Sequence, residues 1–215
     1  MKNEKPGVFY TIGEEIFNSI SHGVGVLLSI AALTLLIIFA ALNNNGYGLA
    51  GGIVYGISLI LLYSMSMVYH IVQNPKAKRV LRIFDHCSIF VLIAGTYTPY
   101  LLVCMDNPMR WVMFGLIWGV TVIGILLNAI SLKKFEKLSM ICYICMGWAI
   151  VFSIRKIASA IALPGVVLLV AGGVVYTLGI IFYALKKYRY THSVWHLFVL
   201  GGSVCHYLSV LLYVM

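Results

Sequence analysis

His70, Asp85, His192 and His196 stand far apart in the chain, yet each falls at the end of a long apolar run. On a helix, His192 and His196 are four residues apart, so their imidazoles share one side about one turn from each other. That spacing suits two ligands of one metal ion. His70 supplies a third ligand of the same kind, and packing alone gives no reason for such a convergence. Ser66 lies one turn before His70 on the same side. A hydroxyl there serves either such a site or a helical carbonyl of its own helix.

The elements that must position these residues are membrane spans. With 62% hydrophobic and 10% charged residues over 215 positions, the chain has too little polar surface to cover a water-soluble globule. Runs long enough to cross about 30 Å of hydrocarbon occur at 20–42, 47–72, 82–105, 109–131, 136–154, 164–185 and 192–214. They are too long and too uniformly apolar for barrel strands, and lipid-embedded backbone must bond to itself. The expected fold class is therefore all-α: a single domain over 1–215 made of seven transmembrane helices. The first run ends at Asn43-Asn44-Asn45-Gly46 without a small-residue cleavage pattern, so it reads as a retained span and not a signal peptide.

Charge sets the expected orientation. Lys2 and Lys5, then Lys76, Lys78, Arg79 and Arg82, then Lys133, Lys134 and Lys137, then Lys186, Lys187 and Arg189 all fall on one side of this map. Arg110, Arg155 and Lys156 fall on the other. Cations gather on the cytoplasmic side, which puts the N-terminus in the cytoplasm and Met215 outside, in a multi-pass protein of the cell membrane. The net charge of +9 is then a matter of topology. A nucleic-acid partner needs a folded basic surface, which this chain lacks.

On that map the ionisable residues collect at one level. His70 closes the second span, Asp85 and His86 open the third, and His192 with His196 opens the seventh. Glu15, Asn18 and His22 lead into the first at spacings of three and four, so they share a helix face and supply supporting or structural groups. Five of the six histidines therefore lie on the cytoplasmic side. His86 points about 100° away from Asp85 and is left out of the site. His206, about 15 Å deeper than His196, reads as a buried hydrogen-bonding residue. Cys142 and Cys145 form a CxxC inside an apolar helix and read as helical core. Gly48, Gly52 and Gly56, and Gly115 with Gly119, permit close helix approach, inside the bundle or between two copies in a homodimer.

Several short pieces, in order, give the chain a family resemblance. They are Glu15-Ile16-Phe17-Asn18-Ser19-Ile20-Ser21-His22, Ser66-Met67-Val68-Tyr69-His70, Asp85-His86-Cys87-Ser88-Ile89 with Ala94-Gly95-Thr96-Tyr97-Thr98-Pro99-Tyr100 after it, and His192-Ser193-Val194-Trp195-His196. In these the chain resembles the hemolysin III family, within the larger group that includes the adiponectin and progestin receptors and is related to the alkaline ceramidases. The resemblance implies a zinc ion held by His70, His192 and His196, a water as fourth ligand, and Asp85 and Ser66 close to that water. Receptor members usually carry Thr where this chain has Ser21 and Tyr where it has His86. The chain also shows no long N-terminal extension. The resemblance is thus to the short bacterial-type branch, without support for hormone reception.

Three imidazoles and a water describe a catalytic zinc. Such a metal acidifies the water and polarises a carbonyl, Asp85 is placed to accept a proton, and Ser66 to orient the water or the developing oxyanion. A substrate reaching this level comes from the bilayer, which points to a lipid amide or ester and to membrane lipids as partners. Two other readings stand beside this hydrolase: a non-catalytic regulator of membrane lipid state with structural zinc, and a hemolysin-like cytolysin or pore. The last needs polar channel-lining faces, whereas these spans are apolar.

Overall fold

The computed structural model describes residues 10–185 and 188–215. Lys2, Lys5, Lys186 and Lys187, four of the cations in the sidedness argument, lie outside the described residues. Those described are helical, without strands: α1 (Ile12–Leu42), α2 (Gly46–Ile71), α3 (Pro75–Cys104), α4 (Met109–Trp148), a 3-10 segment (Ala149–Ser153), α5 (Ile154–Ala160), α6 (Leu163–Ala184) and α7 (Thr191–Tyr213). Six helical segments among them are long and apolar enough to cross a membrane.

The helices begin earlier than the apolar runs do. α1 starts at Ile12 and α3 at Pro75, about two turns ahead of the expected 20 and 82. Local chemistry explains both starts. Thr11 and Glu14 form a capping box, with Thr11 N–H donating to Glu14 Oε2 at 2.8 Å and Glu14 N–H to Thr11 Oγ1 at 3.4 Å. Asn74 caps α3 through Lys76 and Ala77 N–H groups, and Pro75 suits its first turn. Polar residues that hydropathy assigns to loops are thereby helical.

The fourth segment, Met109–Ala160, has 52 residues. Straight, it would extend about 78 Å, more than twice the hydrocarbon thickness. It is not straight: Ser131 has φ −163° and ψ 94°, and both limbs return to the same turns of α3. Thr121 on the first limb bonds Phe90 O at 3.4 Å. Tyr143 on the second packs its ring at a tilt against Phe90, centroids 4.5 Å apart, and bonds His86 O at 2.8 Å. Ser139 closes the hairpin on Asn128 Oδ1 at 2.6 Å.

α1 packs along α2, α2 along α3, α6 along α7, and α7 returns to α1. The outer surface is apolar, with Phe152 90% and Ile130 76% exposed, as lipid requires and water forbids. Inside, tyrosines fill the core and several of their hydroxyls are paired across helices: Tyr63 donates to Ser203 Oγ and Tyr100 to Ser209 Oγ, each at 2.7 Å. Tyr97 donates to Met146 O at 2.6 Å and receives Ile150 N–H at 2.7 Å, satisfying backbone groups freed where α4 passes into the 3-10 segment. Gly51 sits so close to α3 that a Cβ there would lie 2.7 Å from Pro99 Cα. Gly115 and Gly119, by contrast, meet nothing within 4 Å among the described residues, so those residues do not make the expected close approach there.

Candidate metal centre

Two adjacent glutamates at the start of α1 tie together the ends of α7 and α2. Glu14 Oε1 accepts Tyr190 N–H at 2.8 Å, just before α7, where Tyr190 takes the left-handed φ of 61°. Glu15 Oε2 accepts the His70 Nδ1 proton at 2.6 Å, and its Oε1 pairs with Lys78 Nζ at 2.8 Å. One turn on, Asn18 is fully buried and its Oδ1 accepts Ser193 Oγ–H at 2.6 Å. Ser21 Oγ comes within 3.5 Å of His196 Nδ1, and the His22 ring stacks on His196 with centroids 3.7 Å apart. The face predicted for Glu15, Asn18 and His22 thus lies against α2 and α7.

These contacts bring His70, His192 and His196 together. One ring nitrogen from each lies within 4.8 Å of the other two. With Nδ1 of His70 donating to Glu15, its Nε2 carries the lone pair, and that atom is buried with no partner. His192 and His196 face each other Nε2 to Nε2 at 3.1 Å, where two neutral rings can share at most one proton. A shared cation satisfies all three lone pairs, and a carboxylate behind one ring is a recurrent support for a metal-binding histidine. The residues present therefore fit a divalent metal.

Tyr10 closes the arrangement on its near side, stacked on His192 with centroids 4.6 Å apart. Burial pushes the Tyr10 phenol well above its ordinary range, so it stays protonated. On the other side opens a cavity of about 200 Å³. Ser66, Asp85, His22, His192 and His196 line one end, and His206 lies toward the other, about 15 Å along α7 from His196. Between them the walls are apolar, including Leu62, Ile89, Leu92 and Leu169. Asp85 and Ser66 are thus brought to the same chamber as His192 and His196 but not into the three-nitrogen group.

Some expectations need correction. His86, set aside because of its angle to Asp85, also lines the cavity, its Nδ1 donating to Arg82 O at 2.9 Å and lying 3.6 Å from Asp85 Oδ2. His206 is buried but held by stacking on Tyr176, and its Nδ1 has no hydrogen-bond partner. Of the CxxC, Cys142 is half-buried and packs against the core as expected, whereas Cys145 is exposed, and all five cysteines are free. Lys78, counted as a loop cation, is 3% exposed. Tyr10 and Lys78 were both missed as site residues.

The profile of the family described as Haemolysin-III related matches residues 10–207, which hold every residue of the candidate centre. This chain belongs to that family. It is 41% identical over 204 residues to Hemolysin-3 of Bacillus cereus, covering 95% of this chain and 93% of that one. The Hemolysin-3 homolog of Bacillus subtilis (strain 168) is 41% identical over the same share of this chain and 96% of its own. A more distant relative, the human Monocyte to macrophage differentiation factor, is 27% identical over 165 residues, 73% of this chain and 67% of that protein. Like other members of the haemolysin-III related family, the chain is a multi-pass membrane protein.

Proposed function

We propose that the protein is a zinc-dependent hydrolase of a membrane lipid amide or ester. The observation that carries this reading is the meeting of three histidine nitrogens within 4.8 Å, two of the histidines lining one end of a largely apolar cavity. His70, His192 and His196 are the ligands in this reading, and Glu15 orients His70. Zinc on such donors supplies a Lewis acid and a water of lowered pKa. Asp85 accepts the proton as the water oxygen bonds to the acyl carbon, then returns it to the amine or alcohol as the acyl bond breaks. Ser66 donates to the oxygen where charge develops. The apolar walls hold the acyl chain and exclude bulk water. They do not suit an aqueous pore, which needs polar lining.

The test is product release by purified protein from a panel of lipid amides and esters, read by mass spectrometry. A free fatty acid and its amine or alcohol partner should appear, disappear on chelation and return with zinc. Bound zinc without product would leave the non-catalytic regulator in its place.

The same reading has seven crossings, the fourth segment counting twice by its reversal at Ser131, with the histidine end toward the cytoplasm. Accessibility of tags checks it: a tag in the loop holding Lys76 should be reached from the cytoplasm only, and one after Met215 from outside only. Both tags on one side would overturn the count.

A further inference from the structure

Lys78 sits in the first turn of α3, yet only 3% of it is exposed. Its ammonium donates to Tyr69 O at 3.0 Å and Val72 O at 3.2 Å, carbonyls at the end of α2, and pairs with Glu15 Oε1 at 2.8 Å. The two carbonyls accept two of its protons, and the carboxylate beside it balances its charge. The carbonyls belong to the turn that carries His70, and the carboxylate is the one that holds the His70 ring. One buried cation thus grips both the backbone under His70 and the group that aims it. A buried ammonium is costly unless fully paired, and an exposed cation would satisfy membrane orientation as well. Orientation alone therefore does not account for its burial.

We infer that Lys78 is a positioning residue for the metal centre: by holding Glu15 Oε1 it leaves Oε2 on His70 Nδ1 and keeps His70 Nε2 turned toward His192 and His196. The inference rests on the reading of His70 as a ligand. It differs from a helix-tethering role in one respect, since the effect of Lys78 on the metal must pass through Glu15.

A double-mutant cycle in zinc affinity decides this, measured by chelator competition on purified full-length protein, with the visible spectrum of the cobalt-substituted form as a second readout. Glu15→Gln and Lys78→Met should each weaken zinc by about 10- to 100-fold, the range for lost supporting partners. Both should change the cobalt bands in the same way, because both release the His70 ring. The double variant removes both members of the buried pair and leaves no unpaired charge. It should bind zinc as Glu15→Gln alone does. Should Lys78→Met not fold, Lys78→Gln, which keeps an amide donor for the α2 carbonyls, is expected to show the same loss. Wild-type affinity in a Lys78 variant, unchanged cobalt bands, or losses that multiply in the double variant would overturn the proposal. Absence of zinc binding by the wild type would instead overturn the reading of the histidines.

Discussion

Replacing His196 with alanine is expected to remove nearly all bound zinc and, with it, any lipid turnover. His196 is 2% exposed, its Nε2 lies 3.1 Å from His192 Nε2, and its ring is fixed by the stack of His22 at 3.7 Å. Alanine deletes one of three donors, and no other His, Cys, Asp or Glu among the described residues belongs to the group that meets within 4.8 Å. The loss should therefore exceed the 10- to 100-fold that removal of a supporting partner brings. It is read as zinc per chain after dialysis against a weak chelator. The same variant also empties the space under His22, so unfolding should be followed in the metal-free proteins. Retention of wild-type zinc would exclude His196 as a ligand.

Asp85→Asn should do nearly the reverse. The substitution keeps shape and loses charge and basicity. Asp85 lines the chamber but stands outside the three-nitrogen group, so most of the zinc should stay. Loss of a general base typically lowers the rate by about 100- to 10,000-fold. The pair of measurements, zinc content and product formation in one membrane preparation, separates ligand from base. Zinc loss equal to that of His196→Ala would make Asp85 a ligand, and full turnover would remove the proposed base.

Spacing and depth made much of this site legible. Residues four apart on α7, three and four apart on α1, and at the facing ends of α2 and α3 meet because helices are regular and spans have a common length. What spacing could not reveal depends on groups from different helices. Lys78 looks like an ordinary loop cation until Tyr69, Val72 and Glu15 are seen around it. Tyr10 precedes α1 and has no helical register to announce its stack on His192. The angle between neighbours on α3 separates His86 from Asp85, but a cavity between helices is wide enough for both to line it. The early starts of α1 and α3 escaped hydropathy because their first turns are polar residues held by caps and buried pairs.

The central claim is that three imidazoles hold the metal, and zinc-edge X-ray absorption of the purified protein tests it most directly. The account predicts a first shell of nitrogen and oxygen at about 2.0–2.1 Å with the outer scattering of imidazole rings, and that signal should be lost in His196→Ala. A sulfur shell at about 2.3 Å, or an unchanged spectrum in that variant, would contradict it.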